Sequence, residues 1–198
     1  MLDPYNATSM ITTLTPLPNV GVHVRLCNQV KALGRRPAIL RHFSNGSVID
    51  SWQKGSTQGD RLRMGIANLK GWLVGDYNPN KACIVLIGWE NDATIEANAL
   101  AVEGKLRTLA NALSSDFPGM LQLHCGISPD VTACGFRDIV NTAIQTVVAE
   151  SPSDREYVSL ATVTGAGMVS SSDHLHYLED GQAAIADLIL AAYLSRLG

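Results

Sequence analysis

The feature that most constrains this chain is an alternation. Short apolar runs of the buried-strand type, "ACIVLIG", "MLQLHCG" and "EYVSLAT", are separated by segments whose apolar residues recur at helical spacing. The first helical segment, "VHVRLCNQVKALG", places Val24, Cys27, Val30 and Leu33 on one face and stops at Gly34. A fourth apolar run, "PAILRHF", leads into the turn-forming "SNGSVIDSW". Helices are then predicted around "DRLRMGIANLKGWL", "ATIEANALAVEGKLRTLANAL" and "GFRDIVNTAIQTVVAE", and a last one from about residue 178 to 197. Parallel strands need crossovers long enough to hold a helix, so the alternation predicts an α/β fold. Its form is a three-layer α/β/α sandwich with a mainly parallel sheet of about five strands, "MITTLT" being the fifth.

Residues 1–20, rich in Thr, Pro and Asn, read as an extended N-terminal arm with one short strand, since Pro16 and Pro18 oppose a helix there. Residues 21–198 then form one globular domain, which 198 residues with 46% apolar content can fill with a single core. A net charge of -3 without any Lys/Arg run supplies no means of neutralising phosphates, so no nucleic-acid partner is expected. The longest apolar run is broken by Asp187 and the N-terminus lacks a basic and apolar leader. No membrane association and no export signal are expected, which leaves a cytoplasmic or virion-associated protein. Cys27, Cys83, Cys125 and Cys134 are far apart, without a CxxC pair, and read as reduced thiols. No cofactor and no metal are expected, because His174 and His176 at i and i+2 lack a third ligand placed by the sequence.

In open parallel sheets the ligand crevice lies beyond the carboxyl ends of the strands. Those ends carry Gly46 and Ser47, then Glu90, Asn91 and Asp92, then Ser128 and Asp130, and finally Asp173 and His176. A glycine-loop N–H and a side-chain amide can hold an oxyanion, while a histidine oriented by a carboxylate can act as general base. The set is what acyl transfer requires.

In order and content these segments resemble the SGNH hydrolase superfamily, and more closely its sialate O-acetylesterase and carbohydrate acetylesterase branch, over roughly residues 20–195. "SNGSVIDSW" is similar to the branch's glycine-serine block followed by tryptophan, with Gly46, Ser47 and Trp52 in the matching places. "GWEND" is similar to its "QGExD" block at Glu90 and Asp92 and departs in the two residues before. Asp173 and His176 match the DxxH block that precedes the terminal helix, and "HYLEDGQ" continues it. The resemblance implies a flavodoxin-like SGNH topology, His176 as base, Asp173 as its orienter, and Gly46 with Asn91 near the oxyanion. It also implies an acetylated carbohydrate as substrate. The chain departs from the family at the nucleophile, for no "GDS" or "GQSN" block precedes residue 20. Thr13 or Thr15 occupies that place, and Ser47 and Ser128 are the substitutes on loops.

Each motif has a plainer reading. Ser171, Ser172 or Asp173 could cap the last helix or its approach, and Asn91 or Asp92 the long one, with Trp89 packed on the sheet edge. His42 and His124 fall on apolar strands and read as hydrogen-bonded core or edge residues, and Trp72 reads as core. Three functions therefore stand side by side. One is an active acetylesterase. The second is a carbohydrate-binding module whose cleft is lined by Trp52 or Trp89. The third is a non-catalytic structural or assembly protein, a virion or tail component, that uses residues 1–20 to bind a protein partner or a second copy of itself.

Overall fold

The computed structural model describes residues 9–11, 21–34, 37–41, 46–73, 75 and 77–197. Thr13, Thr15 and His42 lie outside the described residues. The described residues form an α/β structure. Strands β3 (Cys83–Leu86), β4 (Leu121–Cys125) and β5 (Arg155–Val158) make a parallel sheet in that order. Leu86 pairs with His124 and Cys125 with Val158, so the carboxyl ends of the three strands form one edge.

Helices cover both faces, and the period of two along β4 decides what each face contains. Leu123 and Cys125 pack with Ile185 and Ile189 of α5 (Glu179–Leu197), beside which lies α1 (Val22–Ala32). Gln122 and His124 face the other way, where Gln122 donates to the Ala110 carbonyl and the Ser114 hydroxyl of α3 (Glu96–Asp116) at 2.9 Å each. Helix α3 buries Ala99, Val102, Leu106, Leu109, Ala110 and Leu113, a stripe at three- and four-residue spacing. Helix α4 (Arg137–Ala149) meets it with Val140, Ala143, Ile144, Val147 and Val148. Each fully buried Leu or Ile of such a stripe stabilises the fold by roughly 1.5–3 kcal/mol.

Two expectations are corrected. The parallel sheet holds three strands among the described residues rather than about five. Among the described residues "PAILRHF" contributes β2 (Ile39–Arg41), and β2 pairs antiparallel with β1 (Ser9–Ile11) in a separate two-stranded ladder. A three-residue strand has few ladder bonds to offer, and those of β2 go to β1 instead of to the parallel sheet. The strand expected in the arm thus pairs within its own chain. Trp72, expected in the core, is 62% exposed. Helix α2 (Thr57–Trp72) starts at the Ser56 cap, whose hydroxyl accepts the Gly59 N–H, and buries only Gly59, Gly65 and Ile66. Trp72 lies on the face of the helix turned away from that core.

Candidate functional site

Beyond β5 the chain runs to a hairpin-like loop that ends at α5. Val169 bridges Tyr177, Ser170 N–H donates to the His176 carbonyl at 2.8 Å, and Leu178 N–H donates to the Met168 carbonyl at 2.9 Å. Gly181 permits the docking of this loop on α5, because a Cβ there would collide with the Met168 carbonyl. At the tip His174 takes a left-handed conformation, φ 54°, and its carbonyl accepts the Ala133 N–H at 3.3 Å.

Within this loop Asp173 holds His176. One carboxylate oxygen accepts from His176 Nδ1 at 2.8 Å, and the other from the backbone N–H groups of Leu175 at 2.9 Å and His176 at 3.1 Å. Those bonds, the imidazole's first among them, hold the Asp173 carboxyl well below the usual carboxylate range. An ionised carboxylate can only accept, so the ring proton sits on Nδ1 and Nε2 is left as the basic nitrogen. The His176 side chain is 77% exposed and open to a substrate. Asp173 spends its oxygens on its own turn, and α5 begins later at Glu179, so Asp173 caps the approach to that helix and not the helix itself.

The loop after β3 brings the next groups. Glu90 is half-buried, with its carboxylate folded back so that a Cβ at Gly88 would lie 3.7 Å from Oε2. Burial pushes the Glu90 carboxyl up, against its own N–H and the His176 imidazole, which favour the ionised form. Gly46 has φ 63°, and a Cβ there would stand 3.5 Å from Asn91 Nδ2. The oxyanion pair implied by the family resemblance is therefore brought together from loops that follow different strands. Ser47 and Trp52 also meet, the indole N–H donating to Ser47 Oγ at 3.1 Å. A tryptophan N–H can only donate, so that bond does not consume the hydroxyl's own proton.

Other members are placed differently from expectation. Trp89 is 3% exposed and belongs to the core cluster, so it lines no cleft. Asp92 is fully buried and accepts the Ile49 N–H at 3.0 Å, which removes it from any pocket wall and from helix capping. Helix α3 follows Ile95 and has no side-chain cap, so Asn91 does not cap it either. Ser128 is fully buried, donates to the Val163 carbonyl at 2.6 Å and accepts the Asp130 N–H at 3.1 Å. It is a loop brace, not a nucleophile. The Tyr177 hydroxyl accepts the Ser128 N–H at 3.1 Å and ties the His176 loop to the end of β4. The sequence offers Tyr177 as part of "HYLEDGQ" but gives no sign of this tie. Among the described residues no group of three or more His, Cys, Asp or Glu is arranged to hold a metal ion. A groove of about 420 Å³ lies elsewhere, between α3 and α4, lined by Leu100, Glu103 and Ile139 among others.

This arrangement, a histidine held by a carboxylate at the carboxyl edge of a parallel sheet with helices on both faces, belongs to the α/β class. Its fold is similar to that of a protein from Arabidopsis thaliana whose X-ray structure is known. The TM-score is 0.69 at 20% sequence identity, over 93% of this chain and 72% of that one. At that identity the likeness is one of fold alone. No sequence profile of a known family matches the chain, and no curated protein does. No described helix is long and apolar enough to cross a membrane.

Proposed function

We propose that this chain is an SGNH-type esterase-like domain, a three-layer α/β/α sandwich of flavodoxin-like topology, that hydrolyses acetyl esters on carbohydrate. The observation that carries the reading is the Asp173–His176 pair at 2.8 Å, on an exposed loop at the carboxyl edge of the sheet. Gly46 beside Asn91 on the neighbouring loops supports it. The reading assigns attack to Ser47. Its oxygen adds to the ester carbonyl carbon while its proton passes to His176 Nε2, and the oxyanion is held by the Gly46 N–H and the Asn91 amide. The alcohol leaves with the proton from His176, and water then releases acetate from the acyl-serine by the same route.

The test is intact mass after incubation with a fluorophosphonate, together with acetate release from an acetylated xylo-oligosaccharide. We expect one adduct, mapping to Ser47, whose formation slows by about 10²–10⁴-fold in His176→Ala. A folded protein that takes no adduct, and releases no more acetate than the His176→Ala variant, overturns the reading.

A further inference from the structure

The four strand-end segments are joined by hydrogen bonds, and one buried side chain stands at the junction. Asp92 is fully buried, with one oxygen accepting the Ile49 N–H and the other without a hydrogen-bond partner. Ile49 is itself fully buried and opens the short turn Ile49–Trp52, for which the preceding Val48 supplies no side-chain cap. The turn takes its acceptor instead from a carboxylate 43 residues further along the chain. A buried carboxylate with an unused oxygen is a costly way to fill a core, because it loses hydration that an apolar side chain would not.

The links continue on the other side of Asp92. The carbonyl of Ala93 accepts the Phe136 N–H at 3.0 Å, and the carbonyl of Glu90 accepts from Cys134 Sγ at 3.3 Å. Ala133 N–H in turn reaches the His174 carbonyl at 3.3 Å, two residues from the base. Outside this buried line, the segment that opens at Ile49 is also held at the rim by Lys105 with Asp50 at 2.6 Å, and by Gln53 with the Lys105 carbonyl at 2.8 Å.

We infer that Asp92 is a positioning residue of the proposed site: acting through Ile49, it sets Gly46 against Asn91, and it does not touch substrate. The oxyanion part rests on the esterase reading, whereas the tether from Asp92 to Ile49 is independent of it. Asparagine at this position keeps an acceptor oxygen, and alanine removes it, so the two variants separate tethering from charge.

The experiment is amide hydrogen exchange combined with fluorophosphonate labelling and steady-state hydrolysis of 4-nitrophenyl acetate, on the full chain and on Asp92→Ala, Asp92→Asn and Asp50→Ala. In Asp92→Ala, exchange at Ile49 should rise at least about 10-fold while Leu109 in α3 stays protected. Labelling and kcat should fall about 10–100-fold with KM unchanged, as expected for misplacement without lost contact. Asp92→Asn should stay within about threefold of the parent, and Asp50→Ala, which breaks only a rim ion pair, should match the parent. Unchanged Ile49 exchange in folded Asp92→Ala overturns the inference, and so does Asp92→Asn as damaged as Asp92→Ala. If Asp92→Ala does not fold, Asp92→Leu, which fills the volume without an acceptor, takes its place. A parent protein that neither labels nor hydrolyses removes the esterase reading and with it the oxyanion part, and exchange at Ile49 then decides the tether alone.

Discussion

His124 lies inside strand β4 and His176 in the loop that leads into α5, and the two imidazoles meet opposite conditions. His124 is fully buried on the α3 face, donating from Nε2 to Gln122 at 3.3 Å, with Nδ1 unpartnered. Burial, aided by the neighbouring Arg155 charge, pushes its pKa down to about 3, so the ring is neutral and inert at ordinary pH. His176 is exposed, and a carboxylate rather than an amide sets its tautomer. Place in the fold, more than residue type, decides whether an imidazole is sealed from water or open to it. A strand interior removes water from both charge states, and a strand-end loop leaves one nitrogen free to exchange protons.

The sharpest way to break the contrast is Asp173→Asn. It keeps the size of the side chain but replaces an obligate acceptor with an amide that can present the wrong partner to Nδ1. Labelling and ester turnover should drop by about 10²–10⁴-fold, with circular dichroism and melting little changed. A variant that labels at the parent rate would mean that Asp173 only shapes its own turn.

The next largest effect concerns His124 and acid. Its native pKa lies below that of the unfolded chain, near 6.5, so below that pH the unfolded state binds a proton that the native state refuses. Stability from this group is complete above pH 6.5 and falls by about 1.4 kcal/mol for each pH unit down toward 3. Urea melts at pH 7, 6, 5 and 4 should show this slope, and His124→Leu should flatten it by that amount. Asp173 has the same relation to its own reference, but that reference lies at lower pH. Its depressed carboxyl stabilises the native loop above the unfolded value and loses that contribution only as pH falls below it, so the two groups separate in a titration. An unaltered slope in His124→Leu would show that other groups govern acid unfolding.

The smallest effect is at the join between the two regions. Tyr177→Phe removes the acceptor for the buried Ser128 N–H and should cost about 1–3 kcal/mol in denaturant melts. Labelling by the His176 loop should change less than in Asp173→Asn, and a larger change would show that Tyr177 orients the base directly.

The strands β3, β4 and β5 were legible because each is a short apolar run closed by turn residues, and α3 and α4 because their apolar stripes span several turns. The size of the sheet was not. A run such as "PAILRHF" shows that a segment can be a strand and leaves its partner open, and here β2 joins β1. Trp72 was misread for a related reason: apolar spacing along α2 leaves open which side of the helix the core covers. At the site, Asp173 and His176 were readable because their interaction is local, i to i+3. Asp92 was readable as a residue of interest but not in its role, since its partner Ile49 comes from another loop.

Taken alone, the sequence determined the fold class, the order of elements and the local pairing of a carboxylate with a histidine, all of which depend on spacing along one short segment. Which histidine is buried, which carboxylate is a tether and which glycine faces Asn91 depend on contacts between segments distant in the chain. Those are decided by which loops the packed sheet and helices bring to the same edge, and desolvation, the largest influence on His124, Asp92 and Glu90, exists only once that packing has formed.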